Sequence, residues 1–200
     1  MPTVLVPTAR WQRWVDNFAT GHSGADLAVE GGALRGVAAD GSHFAARLPF
    51  DTAYDGPAQA GAFAAATVAP ASWGVLLVRK GGFAVARLAG TEMVEHKVGQ
   101  RHVQGRTKAG GQSQQRFARR RENQSRAAYE AAAEHAARIL RPGPVVTGGD
   151  HVAVDAVLTD PRLVALTVVE PWLAVPDPRR AVLDAAIADT QAIRVDVTNA

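Results

Sequence analysis

Gly110-Gly111-Gln112-Ser113-Gln114-Gln115-Arg116-Phe117-Ala118-Arg119-Arg120-Arg121-Glu122 is the stretch on which the reading of this chain turns. Two glycines and a neutral amide open it, and a run of arginines follows. Between Lys97 and Arg126 there are nine Lys/Arg and one acid, Glu122. The chain as a whole has 22 Lys/Arg and 19 Asp/Glu, so the residues outside that segment carry thirteen basic and eighteen acidic side chains. Positive charge concentrated in one segment points to a local element that binds a polyanion, RNA above all.

Working outward, Ser113 is a suitable N-cap for a long helix reaching about Leu140. Its 128–140 half has an alanine-rich face with Ile139 and Leu140, which packs. Its 114–126 half has only Phe117 as a large apolar residue, so that end projects. The loop 99–112 before it has four glycines, three Lys/Arg and Val103 as its one large aliphatic residue. Upstream, Val75-Leu76-Leu77-Val78, the turn Gly81-Gly82, Phe83 to Leu88 and a third strand over 92–98 form an antiparallel meander. Downstream, Val145-Val146-Thr147 is a strand ending in Gly148-Gly149-Asp150, and a helix covers about 150–158. A central strand spans 163–169. A last helix spans about 178–191, with Asp177 as N-cap and Pro178 at its first position. Ile193 to Val197 makes a final edge strand. Strands joined by helices after a meander predict an α/β fold with a mixed sheet and packed helices.

The region 1–68 reads differently. A strand over 2–6 precedes a helix over 8–20, on which Trp11, Trp14, Val15 and Phe18 share one face. Thr8 caps that helix and Gly21 stops it. Strands follow within 26–50, separated by turns at Gly31-Gly32 and Asp40-Gly41. Residues 57–68 are alanine-rich and helical, and Pro70 breaks the pattern. Two regions are expected, 1–68 as an N-terminal helix and hairpin unit, with ribosome docking as its expected role, and 69–200 as the unit carrying the basic segment.

Composition excludes several classes. The chain has no cysteine, hence no disulfide framework or thiolate metal site. It has no run of eighteen apolar residues and no charged leader before an apolar stretch, so the expected setting is the cytoplasm and no membrane is involved.

The Gly-Gly pair allows backbone to enter a crowded site. Gln112 is neutral at every working pH and cannot be a general base. It can hold a water and donate to a developing oxyanion, as can the neighbouring backbone N–H. Arg106, Lys108, Arg116, Arg119, Arg120 and Arg121 are the candidate phosphate contacts. The pattern Gly-Gly-Gln-Ser-x-x-Arg-Phe-x-Arg-x-Arg-Glu resembles the signature of the middle domain of archaeal and eukaryotic class I peptide-chain release factors. The likeness runs from about Trp73 to Val197. It does not resemble the bacterial class I factors.

Separate codon-reading and GTPase-binding domains do not fit in 200 residues. The layout is most similar to the Vms-like release factor family, as a compact bacterial member. That resemblance implies a release-factor middle-domain fold of ribonuclease H-like topology with a protruding Gly-Gly-Gln loop and long helix. It implies hydrolysis of peptidyl-tRNA on stalled large ribosomal subunits, without codon reading. Gly110, Gly111 and Gln112 would be catalytic, rRNA and peptidyl-tRNA the partners, and no metal or cofactor would be required.

Other readings are weaker. The histidines at 22, 43, 96, 102, 135 and 151 lack close metal-ligand spacing. Asp150, His151 and Asp155 fit an acid/base site less well than a helix start capped by Asp150. Gly148-Gly149-Asp150 imitates a phosphate-binding turn, but no P-loop lysine follows. The four tryptophans suit packing better than base stacking. A non-catalytic ribosome- or RNA-binding module of the same fold is the main alternative. A nuclease is a third, disfavoured by the lack of a carboxylate cluster near the basic loop.

Overall fold

The computed structural model describes residues 2–100 and 112–200, with side chains described except at 100 and 112–125. The elements run β1 (Thr3–Val6), α1 (Thr8–Gly21), β2 (Asp26–Glu30), β3 (Ala33–Val37), β4 (His43–Arg47), α2 (Ala60–Ala65), β5 (Trp73–Arg79), β6 (Gly82–Ala89) and β7 (Glu92–Gln100). Then come α3 (Gln112–Ile139), β8 (Gly143–Gly149), α4 (His151–Leu158), a 3-10 turn (Pro161–Leu163), β9 (Leu166–Leu173), α5 (Arg180–Thr190) and β10 (Ile193–Thr198). The chain forms two compact units, residues 1–69 with 187–200, and residues 70–186.

The first unit has a five-stranded sheet in the order β1-β10-β4-β3-β2, with every neighbouring pair antiparallel. Helix α1 lays Trp11, Val15 and Phe18 into a core with Leu34, Phe44, Phe63, Ile193 and Val195. Trp11 is fully buried, and its indole N–H donates to the Ala60 carbonyl at 3.0 Å. That bond satisfies a polar atom which burial would otherwise penalise. Thr8 is the first helical residue and makes no capping bond, and α1 runs through Gly21 to His22. Helix α2 is only six residues long, shorter than the expected 57–68.

The second unit has the order β7-β6-β5-β8-β9. The meander β5-β6-β7 is antiparallel, and β8 and β9 lie parallel to β5 and to each other. The sheet is therefore mixed, as the sequence predicts. Strand β5 is central, and Trp73 through Val78 are all buried. A continuous apolar run, rather than an alternating one, is what a strand covered on both faces requires. The α3 residues Ala132, Ala133, Ala136, Ile139 and Leu140 pack with Leu76, Val78, Phe83 and Val85 of the sheet and Val154 and Val157 of α4. Small side chains on α3 let it sit close to the strands.

Five expectations change. β10 lies between β1 and β4 in the first unit, so the expected 69–200 region gives up its C-terminal stretch. Its alternation of Ile193, Val195 and Val197 with Arg194, Asp196 and Thr198 specifies a sheet with one solvated face, but not which sheet. β9 begins three residues later than expected and is an edge strand, because Asp160 caps the turn that consumes Leu163. Val164 and Val168 are accordingly 85% and 51% exposed. α5 starts at Arg180, and the Asp177 carboxylate pairs with Arg79 at 3.6 Å instead of capping the helix. Finally, α3 starts at Gln112, so Ser113 is an internal residue of its first turn.

Candidate functional site

Gln112 is the first residue of a 28-residue helix. The leading N–H groups of an α-helix have no intrahelical partner, and its N-terminal end carries a partial positive charge. The amide-bearing residue is thus attached to backbone donors that have no partner within the helix. Gly110, Gly111, Lys108 and Arg106 fall outside the described residues. Arg116, Arg119, Arg120 and Arg121 lie on α3. By helical periodicity 116, 119 and 120 share one face and 121 is rotated about 100° from 120.

The described half of α3 is its root. Ala128 is the first described α3 residue to be buried, sixteen residues from Gln112. That separation is about 24 Å along the axis. At the C-terminal end the Arg141 guanidinium donates to the carbonyls of Arg138 at 2.9 Å and Leu140 at 3.0 Å. A cation there satisfies orphan carbonyls and complements the negative end of the helix.

Strand β7 and helix α3 carry the two ends of the basic segment, and side chains tie these elements together. Glu95 of β7 accepts from Arg138 of α3 at 2.8 Å and lies 3.9 Å from Arg87 of β6. His135 of α3 stacks on Phe83 of β6, with ring centroids 5.4 Å apart. Beside this stack is a cavity of about 160 Å³ lined by Gly82, Phe83, Lys97, Gly99, Ala128, Ala131 and His135. Arg180 donates to the exposed His96 ring at 2.9 Å and also to Asp184. Sequence reasoning missed Glu95, Arg138 and His135. Their partners are distant along the chain, and no local pattern marks them.

The disfavoured sites resolve into packing. Asp150 caps α4, accepting from the Val152 N–H at 3.1 Å. A side chain at Gly148 would collide with the Leu173 backbone, so this glycine serves close strand packing. Trp11 and Trp73 are buried. Trp172 stacks on His151 with ring centroids 3.6 Å apart. Among the described residues no group of three or more His, Asp or Glu is placed to hold a metal, and no helix is long and apolar enough to cross a membrane.

The model of the Actinobacteria/chloroflexi VLRF1 release factor family matches residues 71–196, more than half of the chain. The chain belongs to that family. The VLRF1 match begins at the strand that opens the second unit and ends inside β10, enclosing the Gly-Gly-Gln stretch and α3. Among solved structures, the Vms1 mitochondrial localization core aligns with 93% of this chain and 80% of its own, at 12% identity and a TM-score of 0.40. None of the curated proteins matches the chain. The VLRF1 match leaves residues 1–70 uncovered, which include most of the first unit.

Proposed function

We propose that this VLRF1 protein hydrolyses peptidyl-tRNA and frees nascent chains from stalled large ribosomal subunits without reading a codon. The observation that carries the reading is the placement of Gln112 at the start of α3, directly after Gly110-Gly111, in a chain of a release factor family. The finer roles rest on chemistry. Water attacks the ester carbonyl that joins the peptide to the tRNA 3′ end. The bond between the acyl carbon and the ribose oxygen breaks, the peptide leaves as a carboxylic acid, and the ribose oxygen takes a proton from the water to become the hydroxyl. A neutral amide orients the water and does not remove its proton, so acceleration comes from placement and from donors aimed at the oxyanion. The first-turn N–H groups of α3 supply such donors. Arg106, Lys108, Arg116, Arg119, Arg120 and Arg121 bind rRNA and tRNA phosphates and fix the approach. Reaction and binding are thereby separable.

The test is release of labelled peptide from peptidyl-tRNA on purified large subunits. Gln112→Ala lowers the rate by ~10²–10³-fold, as expected when one oxyanion-directed group is removed. Sedimentation with the subunit is retained. Wild-type turnover in the Gln112→Ala protein overturns the role given to Gln112, and no turnover in either protein leaves the non-catalytic binding module as the correct description.

A further inference from the structure

The first unit contains a cleft of about 630 Å³ lined by Val4, Leu5, Val6, Pro7, Arg10, Arg13, Trp14 and Asn17. We propose that it receives an extended, acidic segment of a partner protein, which adds as a strand to the free edge of β1. Four observations support this. β1 ends the sheet, and no described strand pairs with its outer side. The Val197 N–H donates to the Pro2 carbonyl, so with continuous antiparallel register Val4 and Val6 also bond toward β10. Alternation then turns the N–H and C=O of Thr3 and Leu5 outward.

The second observation is that β1 carries no charged residue and no proline between Pro2 and Pro7. Val4 and Leu5 are each 37% exposed, whereas the opposite edge strand β2 begins at Asp26 and ends at Glu30. Edges that must stay unpaired carry charge or proline along the strand. Third, Trp14 forms a rigid wall, stacked on Trp11 at 5.6 Å and on Phe18 at 5.9 Å. Alternate side chains of an added strand would turn toward it.

Fourth, charge selects the occupant. Arg10 and Arg13 are exposed, share a face of α1, and have no carboxylate partner among the described residues. The remainder of the unit is acidic, three Lys/Arg against eight Asp/Glu. A long polyanion such as RNA would be repelled by that surround. One or two carboxylates on a short strand would meet the two guanidinium groups locally.

The test selects binders to the full chain from a displayed library of random eight-residue peptides. Enriched sequences alternate apolar residues with Asp or Glu. The best, made synthetically, loses at least tenfold in affinity against Leu5→Pro, which removes only an outward N–H, and against Arg10→Glu/Arg13→Glu. Binding to Arg35→Glu, on β3, is unchanged. The double charge reversal alters two exposed side chains, so it remains decisive should Leu5→Pro not fold. Absence of acidic enrichment, or affinity surviving the charge reversal, overturns the proposal. So does an RNA oligonucleotide that competes at the cleft, or a dimer of the free chain that Leu5→Pro abolishes.

Discussion

Gly148→Ala is a severe substitution for a single methyl group, and its consequence follows from the β8–β9 pairing. A Cβ at this position would sit 2.7 Å from the Leu173 Cβ and 3.0 Å from the Leu173 carbonyl carbon, and nearer still to its oxygen. Carbon atoms pack at about 3.5–4.0 Å, so the strands would have to part by about 1 Å. Two of the obstructing atoms are backbone and the third is a Cβ, so no rotamer change moves them. The pairing is already irregular here, since it shifts between Val146 and Gly148. Separation by 1 Å stretches bonds of about 2.9 Å past their useful range. Overpacking of this kind costs roughly 2–3 kcal/mol. In a unit spanning residues 70–186, each kcal/mol moves the midpoint by about 4 °C, giving a loss of about 8–12 °C.

Differential scanning calorimetry is the suitable assay, because two compact units need not melt together. Gly61→Ala is the control. It lies within α2 with nothing near its Cβ position, and replacing a helical glycine there stabilises by about 0.5–1 kcal/mol. A Gly148→Ala protein melting within 2 °C of wild type would refute the packing account. It would reopen the reading of Gly148-Gly149-Asp150 as a turn left open for a phosphate.

Two further outcomes are expected. The Asp160 carboxyl is lowered from 3.8 to about 2, first by the Arg162 side-chain hydrogen bond and then by the Arg162 backbone N–H. Its contribution to stability is complete above pH 4 and is lost as pH falls through 2. Arg162→Ala should raise the Asp160 midpoint toward 3.8 in a carboxyl NMR titration, and an unmoved midpoint would contradict the assignment. The Arg138–Glu95 pair is solvent-accessible, with side chains 59% and 32% exposed, so Arg138→Ala should cost only about 0.5 kcal/mol at low salt and less in 1 M salt. Urea denaturation at the two salt concentrations measures it, and a loss above 2 kcal/mol would mean the contact does more than tie two exposed groups.

The meander was legible because β5 is a continuous apolar run and its first turn is marked by Gly81-Gly82, both local signals. The start of α4 was legible because Asp150 is a local cap. The fate of β10 was not, since its alternating pattern fits any half-solvated sheet and its partners β1 and β4 lie about 150 or more residues upstream. The start of α5 is not legible because Asp177 has a competing partner in Arg79, 98 positions away. At the site, Gly110-Gly111-Gln112 announces itself through covalent sequence. The root does not, because Glu95 and Arg138 are brought together only by the packing of α3 on the sheet.

The charge distribution sets how such a protein meets a polyanion. The first unit carries five Lys/Arg and eight Asp/Glu, and the second, without residues 97–126, carries eight and ten. Both bodies are therefore repelled by a field of phosphates, and only the 97–126 segment, with nine Lys/Arg and one acid, is attracted. An evenly basic protein would adhere to RNA in many orientations with equal ease. Here repulsion of the rest of the chain and attraction of one segment both favour approach through that segment. Salt weakens both terms, so raising ionic strength should degrade orientation as well as affinity. With at most nine cationic contacts available, the slope of log K against log salt has a magnitude no greater than about 8 for duplex-like phosphates.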